Sequence, residues 1–433
     1  MSSDRVRPAW SSVQVSRRHA VAIGLAGAGA LLAACGGQQP QPRTPTPGTV
    51  GLTTLSEPPA SSELQTTTPV TSAAAGTVTL DAATRTLLDG VFDAALTSTG
   101  VAGLAAAVWI GDQEWTRTAG YADLETQEPF DPAAHVRIAS ITKTFTATAV
   151  LILVDRGELA LDDVLGSFVP GIANGDRITV EDMLGMRSGV FDYTSDAGFL
   201  ARFDADPTAS WSDEQTLAVI RANPPAFAPG EQVVYADSNY ALLGMVIEAV
   251  TAVPAGEFIT TEVIERLDLP DTSYPTTTRI PDPHPTGYLP QGTLTAGRPF
   301  DNETDPPEIV DELNPALAGT AGAMISTLAD LRVWGTELTE GSLLTPSTQA
   351  ARLGAIRQFT GQKINVGYGL GILGLNEFLG HDGAILGFSS VVMRRPETDT
   401  TIVMVANEST NSTTPTFEAA LEVIQALYPD QVR

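Results

Sequence analysis

The chain has one cysteine, four histidines and two lysines among its 433 residues. A single cysteine, Cys35, excludes any disulfide within the chain. His19, His135, His284 and His381 are scattered, without the spacing of a metal-ligand set, so neither a metal nor another cofactor is expected. Asp and Glu outnumber Lys and Arg by 51 to 24, which gives a net charge of −27. A protein this acidic repels phosphate, and nucleic acid is excluded as a partner. A membrane-spanning run is missing too. The charge-free apolar stretch Ala20–Ala34 is fifteen residues long, short of the ~20 that a transmembrane helix needs.

That stretch follows Arg5, Arg7, Arg17 and Arg18 and ends Leu32-Ala33-Ala34-Cys35. A positive start, an apolar middle and small residues describe an export signal, here residues 1–35. Small residues before a lone cysteine resemble a bacterial lipobox, in which the chain is cut before Cys35 and the thiol is lipidated. Ser16-Arg17-Arg18 also resembles a twin-arginine signal, although His19 and Ala20 stand where Phe and Leu are usual. Lipid on Cys35 implies an extracytoplasmic protein held at the outer face of the cytoplasmic membrane. Loss of residues 1–34, with four Arg and one Asp, leaves a net charge of −30. Residues 36–78 are rich in Pro, Thr, Ser, Gly and Gln, cannot bury a core, and read as a disordered tether.

Residues 79–433 form the folded part. Leu80 to Ser98 has helical spacing of Leu87, Leu88, Val91, Phe92 and Ala95. Ala102–Ile110 and Glu114–Tyr121 predict a hairpin about Gly111-Asp112. Ala139–Arg156 reads as a buried helix and Val180–Met186 as a short one. Thr276–Pro315 reads as a loop excursion over the site. Late strands are predicted at Gly369–Leu373, Ile385–Arg394 and Thr401–Ala406, and a closing helix at Pro415–Leu427. Strands at both ends with helices between predict a mixed α/β (α+β) fold. Its mostly antiparallel sheet is flanked by N- and C-terminal helices and stands beside a helical subdomain. A monomer is expected.

One of the two lysines, Lys143, follows Ser140 by three residues in Ala139-Ser140-Ile141-Thr142-Lys143-Thr144-Phe145. On a helix the two side chains share one face. The other basic residues are Arg, whose guanidinium stays charged, whereas a buried amine can act as a base. A serine beside such an amine is the geometry of an activated nucleophile.

Two further segments extend the pattern: Pro229-Gly230-Glu231-Gln232-Val233-Val234-Tyr235-Ala236-Asp237-Ser238-Asn239, and Gly380-His381-Asp382-Gly383-Ala384 through Ser390. In order and spacing the three resemble S-x-x-K, Y-x-N and K-T-G/H-x-G of the penicillin-recognising serine hydrolases. The closest branch is that of class C β-lactamases, D-alanyl-D-alanine carboxypeptidases and their esterase relatives. The resemblance runs from about residue 80 to the C-terminus and includes Gly120–Thr126, Leu159–Asp163, Ala318–Met324 and Gly367–Gly371. It implies a β-lactamase/transpeptidase-like fold with a small-molecule or peptide substrate. Ser140 is then the nucleophile, with Lys143 and Tyr235 beside it and His381 on the opposite wall. The backbone N–H groups of Ser140 and Ala384 form an oxyanion hole, and Gly383 lets substrate approach the strand. A neighbouring ammonium would favour the Tyr235 phenolate, and either Tyr235 or Lys143 could take the serine proton.

The chain departs from its relatives at several points. Asp237 replaces an Asn, loses a hydrogen-bond donor, and should hold Lys143 charged, which favours Tyr235 as base. Asp382 and Ala384 stand where many D-Ala-D-Ala enzymes place hydroxyls that grip a carboxylate; an Asp382 facing the pocket would repel one. Met186 stands where His is frequent. These features favour an ester or uncharged amide over the β-lactamase and carboxypeptidase alternatives. A non-catalytic cell-wall-binding lipoprotein is a further alternative, against which the intact Ser140, Lys143, Tyr235 and His381 argue. A Ser-His-Asp triad through His381 is disfavoured, because no G-x-S-x-G elbow is present and Asp382 faces away from its neighbour on a strand.

Overall fold

The computed structural model describes residues 78–289, 308–310, 312–361, 365–409 and 414–431. The export signal, Cys35 and the tether up to residue 77 lie outside the described residues, as does most of the Pro-rich stretch between 290 and 311.

Helix α1, Ala82–Thr99, starts where the Asp81 carboxylate accepts from the Thr84 N–H at 2.8 Å. It stops at Gly100, whose left-handed backbone (φ 67°) returns its N–H to the Leu96 carbonyl. Leu88, Phe92 and Ala95 form its buried stripe. The chain then builds β1 (Gly103–Ile110) and β2 (Gln113–Asp123), and Ile110 pairs with Gln113. The connecting turn is Gly111-Asp112, and Gly111 takes the positive φ (57°) that a two-residue hairpin requires. The remaining strands of the main sheet are β3 (Glu128–Pro129), β4 (Arg357–Gln358), β5 (Val366–Tyr368), β6 (Leu373–Leu375), β7 (Phe378–Ile385), β8 (Phe388–Arg395) and β9 (Thr400–Ala406). Their order is β3-β2-β1-β9-β8-β7-β6-β5-β4, antiparallel throughout. The first and last parts of the chain meet where β1 pairs with β9.

Helix α2, Thr142–Asp155, is buried from Thr142 to Leu153. Four buried threonines would be costly without partners. The Thr144, Thr146 and Thr148 hydroxyls donate to the carbonyls of Ile141, Thr320 and Thr144, and Thr142 Oγ1 accepts from the Met324 N–H. Helix α3, Asp237–Thr251, packs on α2 within a helical region that also holds Val180–Leu184, Ala197–Ala205 and Asp213–Ala222. Helix α4, Leu328–Glu340, lies between α2 and the sheet. Trp334 stacks on Phe145 with ring centroids 3.6 Å apart, and Gly335 approaches Val392 and Thr401. The closing helix α5, Pro415–Leu427, packs with α1 against β8 and β9 on the other face. This is the mixed fold expected, with an antiparallel sheet, two flanking terminal helices and a helical region.

The late strands require two corrections. Of the predicted strand Gly369–Leu373 only Leu373 is in β6; Gly369–Ile372 is the turn from β5, with Gly371 at φ 74° and its Cα against Ala147, where a side chain has no room. The Ile385–Arg394 run is the end of β7 and the whole of β8, divided at Gly387 (φ 78°). In both places continuous apolar character conceals a turn that glycine makes possible.

Candidate active site

The serine sits on a tight 3-10 turn, Ala139–Ile141, that leads into α2. Ala139 has φ 47°, a region that a side chain ordinarily avoids. The turn is held from both sides: the Ile138 N–H donates to the Met324 carbonyl at 2.9 Å, and Ser390 Oγ on β8 donates to the Ile138 carbonyl at 2.9 Å. Strand β7 lies directly against it. A Cβ at Gly383 would come within 2.4 Å of the Ile138 oxygen and 3.0 Å of the Ala139 Cβ. Gly383 therefore makes room for the turn that carries Ser140, rather than for substrate as the sequence suggested. Beyond Gly380 the outer edge of β7 has no strand partner, because β6 pairs only with Phe378–Gly380.

Lys143 is fully buried and Ser140 nearly so. The Lys143 ammonium meets one acceptor for each of its three protons: Ser140 Oγ at 3.0 Å, Asp237 Oδ1 at 2.5 Å and the Ala321 carbonyl at 2.8 Å. Its Nζ lies 4.9 Å from the centre of the Tyr235 ring. The Tyr235 hydroxyl is buried and lacks a partner with full hydrogen-bond geometry among the described residues. Burial and the Asp237 charge push its pKa well above 10, and the Ser140 hydroxyl only partly offsets them. This reverses the expectation of a favoured phenolate, since desolvation outweighs the nearby ammonium. Met186, fully buried with φ 57°, accepts the Val234 N–H on its carbonyl and the Asn239 amide on sulfur, and so anchors the segment that carries Tyr235.

His381 is brought near Tyr235, with ring centroids 6.2 Å apart, but is fully buried. Its Nδ1 is 2.5 Å from the Asp382 carbonyl oxygen and its Nε2 is 3.0 Å from the Tyr368 hydroxyl. A carbonyl only accepts, which assigns the proton to Nδ1 and makes Nε2 the acceptor from Tyr368. Burial, and next the Lys143 charge, push its pKa down to about 3. His381 is thus a neutral wall with both nitrogens occupied, which removes the Ser-His-Asp triad.

Asp382 does not face the nucleophile. His381 pairs with Val392, on the α4 side of the sheet, and alternation sends Asp382 to the opposite side. There it is nearly buried, and Thr414, just before α5, provides its hydrogen bond. Burial pushes its pKa up to about 6. The proposal that Asp382 repels a substrate carboxylate therefore fails on geometry. Ala384 shares its strand face and is half-buried.

Asp192 was not singled out by any motif. Its Oδ2 accepts from Thr194 Oγ1 at 2.9 Å, and that hydroxyl also lies 3.4 Å from Asp237 Oδ2. Burial and the Asp237 charge push the Asp192 carboxyl up to about 7. Only the Thr194–Asp237 contact, between residues 43 positions apart, identifies it.

These groups set a pH dependence of stability. Glu408, raised to about 7 by burial, joins Asp192 and Asp382 as carboxyls whose folded pKa exceeds the unfolded value near 4. Between about pH 4 and 7 the folded state holds protons that the unfolded state has lost, so stability falls as pH rises through that window. The steepest loss is about 1.4 kcal/mol per pH unit for each group. His381 acts in the opposite sense: below pH 6.5 the unfolded state gains a proton that the folded state refuses until about pH 3. Thermal denaturation is expected to show stability falling from about pH 5 to 7, where three carboxyls outweigh one imidazole, and a shallower fall in Glu408→Gln.

The comparisons with known proteins agree with this geometry. A family model described as Beta-lactamase matches residues 88–426. Penicillin-binding protein 4* of Bacillus subtilis (strain 168) is 22% identical over 311 residues, 69% of this chain and 66% of that protein, so the chain spans slightly less than two thirds of its length. A D-stereospecific amidohydrolase from Streptomyces sp. is 31% identical, with TM-score 0.68 over 80% of this chain and 98% of that one. D-amino acid amidase from Ochrobactrum anthropi SV3, solved with L-phenylalanine amide, shares the fold at 23% identity and TM-score 0.67, over 81% and 99%. With its signature segments meeting at one turn, this chain belongs to the beta-lactamase family, whose members are serine hydrolases.

Proposed function

We propose that the chain hydrolyses small amides or esters through an acyl-enzyme on Ser140. The observation that carries this reading is the contact chain Ser140 Oγ–Lys143 Nζ–Asp237 Oδ1, at 3.0 and 2.5 Å. Lys143 hands a proton to Asp237 and, as the free amine, takes the Ser140 proton while the serine oxygen attacks the substrate carbonyl. The Asp237 carboxylate thus supplies the basic capacity that a fully donated ammonium lacks. Tyr235, kept protonated by burial, gives its proton to the leaving group and recovers one from the Lys143 side. The backbone N–H groups of Ser140 and Ala384, on the two segments that meet at Gly383, stabilise the developing oxyanion. Water then releases the acyl group by the reverse proton path.

The substrate is proposed to carry no carboxylate beside the scissile bond. His381 is neutral, and the Lys143 cation is spent on Asp237. A carboxylate-bearing β-lactam or D-Ala-D-Ala peptide therefore finds no free positive partner among these residues. The similarity to an amidohydrolase and to an amidase solved with an amino acid amide supports an amide substrate. The segment before Cys35 supports an exported, lipid-anchored protein. A panel of neutral p-nitrophenyl esters, amino acid p-nitroanilides, nitrocefin and a D-Ala-D-Ala peptide tests the selectivity. Esters and anilides are expected to lead. Preferential turnover of nitrocefin or the peptide would replace this reading with the β-lactamase or carboxypeptidase alternative.

A further inference from the structure

The charges around Ser140 do not balance. Two carboxylates, Asp192 and Asp237, are bridged by one hydroxyl, Thr194 Oγ1, at 2.9 and 3.4 Å. One ammonium, Lys143, serves them, and its contact is with Asp237. No arginine, histidine or lysine among the described residues lies within ion-pair distance of Asp192. Its hydrogen bonds come from the Thr194 N–H at 3.3 Å and the Thr194 hydroxyl.

Asp192 is not sealed in the core. It is half-buried, and the Asp237 side chain is 22% exposed, so neither carboxylate is fully enclosed. The Asp192 segment is fixed in place. Ser238 Oγ, on the first turn of α3, donates to the Phe191 carbonyl at 2.7 Å and accepts the Tyr193 N–H at 2.9 Å, and Tyr193 Oη donates to the Leu317 carbonyl at 2.8 Å. A rigid carboxylate, short of a cation and one hydroxyl away from the group that holds Lys143, needs a positive partner that the protein does not supply. Beside Ser140 the buried Tyr235 hydroxyl also lacks a partner among the described residues.

We infer that Asp192 is a specificity-determining residue that receives a protonated amine on the substrate, next to the scissile carbonyl. The substrate class is then an amino acid amide or ester, or a peptide with a free N-terminus. The inference rests on the reading of Ser140 as nucleophile. An unbroken line of contacts joins the two groups, from Ser140 Oγ through Lys143, Asp237 and the Thr194 hydroxyl to Asp192. An ammonium there restores one cation per carboxylate. The raised pKa of Asp192, caused by burial and then by Asp237, is what a carboxylate without its own cation shows.

The test compares phenylalanine p-nitroanilide with its N-acetyl derivative, in both enantiomers, on the full chain and on Asp192→Asn. The readout is the ratio of kcat/KM for the free amine to that for the acetylated compound, taken for the preferred enantiomer. In the native protein the ratio is expected to exceed ten. In Asp192→Asn it is expected to fall at least tenfold, chiefly through KM for the free amine, which a purely structural role of Asp192 as a turn cap would not produce. A native ratio at or below one overturns the inference whether or not the variant folds, and so does an unchanged ratio in a folded variant. Fluorophosphonate labelling separates the two readings. Labelled Ser140 with a ratio at or below one leaves the nucleophile standing and removes the ammonium site, whereas absence of labelling removes both.

Discussion

Ser140→Ala is expected to abolish covalent labelling by a fluorophosphonate and to lower turnover of any acyl substrate by roughly 10⁴ or more. The size follows from the geometry. Lys143 and Tyr235 converge on one oxygen with Asp237 behind Lys143, and none of them is itself placed to form the acyl bond. Once that oxygen is removed, the oxyanion donors and the binding surface have only water to activate. The alanine methyl fits the buried position and leaves Lys143 with Asp237 and Ala321, so the protein should fold as before. Intact-mass analysis and burst kinetics check the result. An adduct in the mutant, or an undiminished burst, would show that the acyl group is carried elsewhere.

Lys143→Met is expected to cost 10²–10⁴ in kcat, the range lost with a general base. Stability must be separated from chemistry here, because the change leaves the Asp237 carboxylate without its cation. Breaking a buried pair from one side typically costs about 3–5 kcal/mol, and Asp237, 22% exposed, should fall below that range. The double variant Lys143→Met/Asp237→Asn removes the orphan charge. It should recover most of the thermal stability and none of the activity, a non-additivity expected of residues in contact. A double variant that regains turnover along with stability would make Lys143 a structural ion-pair partner and give the base role to Tyr235.

What the sequence determined about this protein is what depends on near neighbours. Ser140 and Lys143 are three residues apart, so any helix through them places both on one face. Gly111-Asp112 between two apolar runs specifies its hairpin, and the helical spacing from Leu80 to Ser98 gives α1 within two residues of its observed span. The three ordered segments were sufficient to indicate the fold, because each keeps its own local chemistry. What only the tertiary structure decided is which way a side chain faces and what surrounds it. Asp382 reads as a pocket anion until the pairing of β7 with β8 turns it toward Thr414. His381 reads as a wall residue, and only the Tyr368 hydroxyl and the Asp382 carbonyl on its two nitrogens make that wall neutral. The Tyr235 phenol shifts upward rather than downward because desolvation, a property of the whole enclosure, exceeds the pull of one ammonium. Asp192 and Asp237 face each other across one threonine only when the helical region closes on α3. Spacing along a chain fixes local geometry, whereas burial, strand face and the company of charges are set by contacts between segments far apart in sequence.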